Sequence, residues 1–367
     1  MTSRQRVEAA LRHRPVDRTP YFEYVLLAPL ADRLLGRVYA GDPDNWQKVL
    51  DAKGWEPAVR QMAIDRLDLA EMLGHDMIYA WANPPPPENR GLSQNPSSDS
   101  ESVPDFPPEP PADDPVGRMM LRNERRAADF RPPGDDCFHV YVCLKEEMRK
   151  RGLDLPILAP AWAHGVWTDV DLMQTMVLEP AVAHRHFKLA TQWSLAMIEK
   201  YIALGIEQIG VGGDFAGNRP LISPEQYRDF IMPEILNCTR PIHAAGRWAV
   251  NASDGDLWPV IEDYLIGCQV DGYVEIDMHA GMDLARLKRA YGSRVTFFGN
   301  LDCGNILSFA TPEGVARHVT DCLRAGQGEG GHILCASNAI TASVPLVNYL
   351  AAVNAYRQFF GLKVVSV

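Results

Sequence analysis

The sequence predicts an α/β protein built as a (β/α)8 TIM barrel with one Pro-rich insertion. From residue 156 onward, short apolar stretches alternate with helix-length amphipathic segments over short connections. Such alternation gives parallel strands with right-handed crossovers, and eight of them close into a barrel. The 367 residues suit one barrel with insertions. An open doubly wound sheet is the alternative, but no GxGxxG turn follows an early strand.

The strands are recognised as buried apolar runs bounded by turn residues. Six strands follow residue 156, so closure of the barrel needs two more from the N-terminal third. The predicted strands are 21–25, 76–81, 155–161, 208–213, 248–252, 272–276, 295–299 and 332–336.

Helices are predicted between these strands from apolar periodicity and start signals. Ser223 caps exposed N–H groups and Pro224 suits a first turn, whereas Pro233 and Pro241 should kink or interrupt the helix that follows. The predicted helices are 1–13, 169–204, 223–246, 256–267, 282–291, 311–325 and 345–360.

One segment, residues 83–115, departs from this pattern. It contains PPPP at 84–87 and PDFPPEPPADDP at its end, a composition that favours extended, solvated backbone. We interpret it as a surface insertion in a single domain spanning residues 1–367. It is either an insertion without a role or a lid or oligomer arm.

Composition excludes several classes of function. The formal net charge of −11 and the absence of a Lys/Arg run argue against nucleic acid as a partner. No window approaches 18 apolar residues, and residues 1–13 lack the apolar core of a signal peptide. The seven cysteines include no CxxC pair, which is typical of a reducing compartment. We therefore expect a soluble cytoplasmic enzyme without a membrane segment.

Acidic side chains follow three neighbouring strands, at the barrel face where catalytic groups collect. Asp214 comes after Gly212 and Gly213, Asp254 lies in NASDG, and Glu275 lies in YVEID. Carboxylates that share a partly dry cleft repel one another, which raises at least one pKa toward neutrality and provides a general acid or base. We predict these three as catalytic. Asp254 could instead shape a turn or cap a helix, and the cluster could bind a cationic group or a hard metal ion.

Further polar and aromatic side chains at the strand ends are predicted to bind substrate. His164 is the histidine best placed for proton transfer or substrate contact, and Asp302 could alternatively brace a loop. Cys303 and Cys335 have no His or second Cys at ligand spacing, so a thiolate zinc site is disfavoured and any metal remains unknown. The predicted substrate-binding residues are Tyr79, Trp162, His164, Asp302 and Asn338.

Several stretches together resemble the uroporphyrinogen decarboxylase superfamily. The likeness covers the N-terminal helix and almost everything after residue 155, and it implies the (β/α)8 fold of that superfamily. The stretches are RQRVEAALRHRPVDRTPYFE, GDFAGNRPLISPEQYRDFIMPEI, IHAAGRWAVNASDGDLWPVIEDYL, VDGYVEIDMHAGMDLARLKRAYGSRVTFFGNLDCGNIL, TPEGVARHV and GGHILCASNAITASVPLVNYLAAV.

The superfamily contains porphyrinogen decarboxylases and corrinoid-dependent methyltransferases. The decarboxylases carry an arginine-rich substrate loop, whereas the matching residues 19–30, TPYFEYVLLAPL, contain no arginine. Methyltransferases with thiol substrates hold zinc through His, Cys and Cys at positions that correspond to Ala252, Asp254 and Asn338. The resemblance therefore implies the methyltransferase-like branch without its zinc-thiolate site. The SDG sequence at 253–255 resembles members acting on methoxylated or methylated small molecules.

The resulting functional hypothesis is demethylation of a small O-methyl or N-methyl compound. Because no corrinoid-binding module is recognised in the chain, the methyl acceptor would be a corrinoid on a separate partner protein, and no cofactor is assigned to the chain itself. One alternative is a non-redox decarboxylase or lyase, and another is a catalytically silent binding protein. The oligomeric state is open, with a homodimer as one alternative.

Overall fold

The computed structural model describes residues 1–89, 106–328 and 330–365, and in them the strands form one curled parallel sheet. Its seven strands follow one another in chain order, each paired in parallel with the next. The strands are β1 (Ile78–Tyr79), β2 (Ile157–Pro160), β3 (Gln208–Gly212), β4 (Trp248–Ala252), β5 (Gly272–Val274), β6 (Thr296–Phe298) and β7 (His332–Ile333).

The N-terminal segment around Tyr21 closes the gap between β7 and β1. Leu334 N donates to Pro20 O at 2.8 Å, and Asp76 N donates to Tyr21 O at 2.6 Å on the other side. The predicted strand 21–25 is thus wrong in extent, because only an isolated bridge between Tyr21 and Leu334 forms there. Its predicted position is confirmed, and the (β/α)8 barrel fold is confirmed with it.

Helices surround the sheet. They are α1 (Ser3–Leu11), α2 (Leu30–Leu35), α3 (Trp46–Lys53), α4 (Trp55–Leu73), α5 (Pro115–Ala128), α6 (His139–Arg151), α7 (Val170–Leu178), α8 (Pro180–Ala203), α9 (Pro224–Gln226), α10 (Met232–Ala244), α11 (Leu284–Tyr291), α12 (Ile306–Phe309), α13 (Pro312–Ala325) and α14 (Leu346–Phe359).

Proline explains most departures from the predicted helices. The predicted helix 169–204 is two helices, because Pro180 disfavours helical backbone at Glu179, which adopts φ −145° and ψ 77°. The predicted interruption near Pro233 is confirmed, since a π-helical turn, Tyr227–Ile231, separates α9 from α10. Pro241, in contrast, lies inside α10. The predicted helix 256–267 contains a 3₁₀ turn, Trp258–Val260, and a π-helical turn, Asp263–Gly267.

The core has two layers separated by the sheet. Along β2, Leu158 packs in the barrel interior with Tyr24 and Tyr79, whereas Ile157 and Ala159 pack outward against the helices. This alternation follows from the two-residue period of a strand. Burial of such side chains stabilises the fold by about 25 cal/mol per Å² of apolar surface. The inward face brings tyrosine side chains into the middle of the barrel.

The predicted insertion 83–115 is only partly within the described residues, because 90–105 lie outside them. At its start, Asn83 is buried and accepts a hydrogen bond from Val140 N at 2.8 Å. At its end, Pro115 begins α5. The assignment of an insertion in one domain of residues 1–367 remains a prediction. In the described part of the chain, no helix is long and apolar enough to cross a membrane.

Candidate active site

Three carboxylates meet at the C-terminal ends of neighbouring strands. Asp214 follows β3, Asp254 follows β4 and Glu275 follows β5 directly, and one oxygen from each lies within 4.8 Å of the others. Gly213 positions the first of them, with φ 147° and a site where a Cβ atom would lie 2.6 Å from Gly165 N. The structure thus brings together the three residues predicted as catalytic, although their catalytic role remains a prediction.

Hydrogen bonds hold two of these carboxylates in place. The backbone N–H of Asp254 donates to Asp214 Oδ1 at 3.0 Å. Asn338, from the loop after β7, donates through Nδ2 to Asp254 Oδ2 at 2.5 Å. Asn338, predicted to bind substrate, therefore contacts the cluster itself.

Glu275 has an unusual backbone for a residue with a side chain. Its φ of 73° lies in the left-handed region, which is rare outside glycine. Burial raises the pKa of Glu275, and a hydrogen bond from the Tyr24 hydroxyl to its carboxylate opposes this rise. Strain of this kind is retained where the surrounding structure fixes the residue, often at functional sites.

The environment of the three carboxyl groups favours their protonated form. Burial, followed by the charges of Asp214 and Asp277, raises the pKa of Asp254 to about 7, and the Asn338 hydrogen bond opposes this rise. Burial also raises the pKa of Asp214, opposed by the Asp254 N–H. Burial and then the charges of Asp254 and Asp214 raise the pKa of Glu275 well above its usual range. The group therefore retains a proton near neutral pH, and it titrates as a unit.

A cavity of about 430 Å³ opens beside the cluster. Asp302 is one of its walls, accepts backbone hydrogen bonds from Asn305 and Ile306, and lies 2.7 Å from His279 Nε2. Asp302 thus braces the start of α12 and also faces the cavity. The other walls include Trp167, Asp214, Asn218, Asp254, Asp277, His279, Cys303, Ser337 and Asn338.

Tyr79 and Trp162 form an aromatic group inside the barrel with Tyr24. The Tyr79 and Trp162 rings stack at 5.8 Å with planes 18° apart, and Tyr24 lies 4.7 Å from Tyr79. Neither Tyr79 nor Trp162 is a wall of the large cavity. They connect to the carboxylates through Tyr24, which contacts Glu275.

His164 is placed differently from the prediction. Its side chain is fully buried, and Nε2 lies 2.9 Å from Thr191 Oγ1 on α8. Burial lowers the pKa of His164 to about 4, so the ring is neutral near pH 7. Because the side chain points outward from the end of β2 toward a helix, it does not line the cavity. This position favours packing over substrate contact.

The residues at the zinc positions of the thiol methyltransferases do not fit a zinc-thiolate site. Ala252 has no donor atom, and the amide of Asn338 is directed at Asp254. All seven cysteines are buried, and none of them forms a disulfide in the described part of the chain. Among the described residues, the His, Cys, Asp and Glu side chains close enough to hold one ion are Asp214, Asp254 and Glu275. Their oxygens would suit a hard cation better than zinc.

Sequence reasoning missed Tyr24, Trp167 and His279. Tyr24 could have been found, because in a strand over 21–25 it shares the inward face with Phe22. Trp167 and His279 lie in irregular loops, where no periodicity indicates the direction of a side chain.

Comparison with known proteins agrees with the fold and the predicted family. The sequence profile of the family "Uroporphyrinogen decarboxylase (URO-D)" matches residues 168–359. A uroporphyrinogen decarboxylase from Coxiella burnetii is 25% identical over 188 residues, 49% of this chain and 48% of the relative. A methylated-thiol–coenzyme M methyltransferase from Methanosarcina mazei is 25% identical over 226 residues, 58% of this chain and 56% of the relative. The chain thus spans about half the length of the curated relatives it matches.

A solved structure supports the architecture across the whole barrel. The structure of a methyltransferase from Methanosarcina mazei superposes with a TM-score of 0.64 at 17% identity, over 98% of this chain and 99% of that one. The predicted branch is therefore represented among both the sequence relatives and the fold neighbours. With its family profile matched over more than half its length, the chain belongs to the uroporphyrinogen decarboxylase (URO-D) family.

Proposed function

We propose that this protein is a methyltransferase that removes a methyl group from a small O-methyl or N-methyl compound and passes it to a corrinoid on a separate protein. The observation that carries the proposal is the group of three carboxylates, Asp214, Asp254 and Glu275, beside an open cavity. The relative and the fold neighbour from Methanosarcina mazei, both methyltransferases by name, support the reaction class.

The chemistry requires a proton at the leaving heteroatom. When the methyl–heteroatom bond breaks, its electron pair stays on oxygen or nitrogen, and the methyl group goes to the acceptor. A poor leaving group departs more easily if a carboxylic acid protonates it in the transition state. Asp254, with a pKa raised to about 7 by burial and neighbouring charge, supplies such an acid near neutral pH.

Asp214 and Glu275 assist by their charge and position. In addition to burial, the charge of Asp214 raises the pKa of both Asp254 and Glu275, since like charges within a few ångströms cannot all ionise. After the methyl group leaves, the cluster regains its proton from solvent through the open cavity. No step in this scheme needs a thiolate-bound metal.

The charge of the cavity disfavours a porphyrinogen substrate. Its described walls include Asp214, Asp254, Asp277 and Asp302 but no Arg or Lys. A substrate with four acidic arms would be repelled by these groups. The family's porphyrinogen chemistry is therefore not proposed for this chain.

Methyl transfer to free cob(I)alamin tests the proposal. A panel of methoxyarenes and N-methyl amines is incubated with the purified protein, and formation of methylcobalamin is followed by its absorbance. We expect turnover with at least one donor and its loss in Asp254→Asn. If no donor reacts while both forms bind donors with equal affinity, the barrel is a binding protein instead.

A further inference from the structure

Trp167, in the loop between β2 and α7, is a large aromatic residue with about half of its surface exposed. Its exposed fraction is 52%, and it is a wall of the cavity that Asp214 and Asp254 also line. Single exposed apolar side chains are common on protein surfaces, so exposure alone does not indicate a site. The position of this indole is informative because several contacts hold it beside the carboxylates.

The backbone of the Trp167 loop is fixed to Asp214. The N–H groups of Val166 and Trp167 both donate to Asp214 O, at 2.7 Å and 3.0 Å. The next residue, Thr168, has a φ of 62°, a left-handed conformation that is rare for a β-branched side chain. Such strain persists where the surrounding structure determines the backbone. The loop therefore holds the indole next to a member of the carboxylate cluster.

Gly217 provides the space that the indole occupies. A Cβ atom at this position would lie 3.0 Å from Cζ3 and 3.4 Å from Cη2 of Trp167, so a side chain would press against the ring. The carbonyl oxygen of Gly217 accepts a hydrogen bond from Asp256 N at 2.9 Å, which joins it to the loop that carries Asp254. The indole thus packs on backbone at the cavity wall and keeps about half of its surface open.

The same cavity carries an excess of acidic groups. Asp302 is paired with His279 at 2.7 Å. Asp214, Asp254 and Asp277 accept hydrogen bonds from N–H groups but form no ion pair with a described residue. Because the described walls include no Arg or Lys, the cavity attracts positive charge.

An organic cation uses both features of this cavity. A metal ion would use the carboxylates but not the indole, and a neutral aromatic ring would use the indole but not the charge. The face of a tryptophan ring attracts an ammonium group, and nearby carboxylates add to that attraction. The volume of about 430 Å³ is large enough for a small molecule of this kind.

We propose that Trp167 binds a cationic group of the methyl donor, so that this protein acts on small methylated compounds that carry a positive charge, such as an ammonium group. This inference rests on the proposed methyl transfer for the role of the ligand as a donor. Binding of the cation itself depends only on the indole and the acidic cavity beside it. Trp167 is thus a specificity-determining residue.

Calorimetric binding of choline and 3,3-dimethylbutan-1-ol tests the site. The two molecules have the same shape, but choline has a positive nitrogen where the alcohol has a neutral carbon. We expect the wild-type protein to prefer choline, and Trp167→Leu to bind it about 5- to 30-fold more weakly, the effect of losing a desolvated cation–π contact. Binding of the neutral alcohol should change little. Trp167→Phe keeps an aromatic face and should retain part of the preference for choline.

Trp258→Leu is the matched control. Trp258 lies outside the cavity walls, and its ring centre is 3.6 Å from the guanidinium carbon of Arg286. Its replacement should leave choline binding unchanged. Gly217→Ala tests the position of the indole, because the added methyl group displaces the ring and should weaken choline binding. The same change should have no further effect in the Trp167→Leu background, where no indole remains to be displaced.

A stability measurement separates this role from a structural one. Without ligand, Trp167→Leu should have a melting temperature close to that of the wild type, because a half-exposed side chain contributes little to the core. A marked fall in melting temperature together with an equal loss of affinity for choline and for the alcohol would mean that Trp167 only supports the loop. That result would overturn the proposal.

The outcomes distinguish this inference from the proposed reaction. If choline binds through Trp167 but no donor transfers a methyl group to cob(I)alamin, the reaction fails and the cation site stands. If neutral methoxyarenes react while choline and the alcohol bind equally well, the reaction stands and the cation site fails. Absence of binding of both choline and tetramethylammonium to the wild type would also refute the site.

Discussion

Asn338 donates a hydrogen bond to Asp254, with Nδ2 2.5 Å from Oδ2, and so joins the loop after β7 to the loop after β4 across the barrel mouth. The bond stabilises the ionised form of Asp254. It therefore opposes the burial and the charges of Asp214 and Asp277, which raise the pKa of Asp254 to about 7. The pKa of the proposed acid is set by this balance.

Replacing Asn338 with alanine should raise the pKa of Asp254 further, because the charged form loses a donor. If Asp254 acts as the acid, methyl transfer falls as pH rises through its pKa, and this fall should move to higher pH in Asn338→Ala. The pH dependence of turnover measures the shift. Asn305→Ala is the control, since its amide contacts His279 and not Asp254. A shift toward lower pH would contradict the assignment.

Asp254→Asn should alter the pH dependence of stability. A carboxyl with a raised pKa holds its proton more tightly in the folded state, so the wild type loses stability as pH rises from about 4 to about 7. The asparagine variant does not lose this stability, because its side chain has no carboxyl group to ionise. We expect it to be more stable by on the order of 1–3 kcal/mol near pH 8 and indistinguishable near pH 4.

Urea denaturation at several pH values measures this difference in the free energy of unfolding. Turnover should be lost in the same variant at every pH. A variant that is less stable at high pH would mean that the Asp254 carboxylate braces the barrel.

The sequence predicted the barrel because its strands are apolar runs with clear ends. Prediction was weakest around Tyr21, where the segment has strand-like composition but pairs with Leu334 through a single bridge. How many residues of such a segment pair depends on its tertiary neighbours. The break at Glu179 was readable from Pro180, whereas the π-helical turn at Asp263–Gly267 has no proline to indicate it.

The carboxylate cluster was predictable because topology alone brings the ends of β3, β4 and β5 together. The structure places His164 against Thr191 on α8 and outside the cavity, a direction that the sequence did not indicate, because loop backbone beyond a strand end is not fixed by periodicity.

The positive φ of Glu275 leads to a prediction that separates the effect of backbone strain on stability from the effect of the carboxylate charge. At φ 73°, alanine keeps the unfavourable conformation, whereas glycine adopts it freely. Glu275→Gly should therefore be more stable than Glu275→Ala by about 1 kcal/mol, although both lose the carboxylate. Denaturation of the two variants measures this. Asp277 is the control position, because its φ is not positive. There the alanine variant should be more stable than the glycine variant. Equal stabilities of Glu275→Gly and Glu275→Ala would mean that the loop relaxes around residue 275.

Asp76 is a buried carboxylate with a structural role. It precedes β1 and so lies at the N-terminal end of the strands, opposite the carboxylate cluster. Its carboxylate is fully buried and binds Arg6 at 2.7 Å, Arg18 at 2.6 Å and Tyr21 N at 3.0 Å. Asp76→Asn leaves two cations undercompensated and should lower the free energy of unfolding by about 3–5 kcal/mol.

The matched control for Asp76→Asn is Asp17→Asn, because Asp17 pairs with the same Arg6 but its side chain is 42% exposed. Its loss should be about 1 kcal/mol or less. Folded Asp76→Asn should bind donors and transfer methyl groups at the wild-type rate, since its position lies at the opposite end of the strands from Asp254. If Asp76→Asn lost little stability but most of its turnover, the reaction would depend on the N-terminal end of the strands, which would contradict the proposed site.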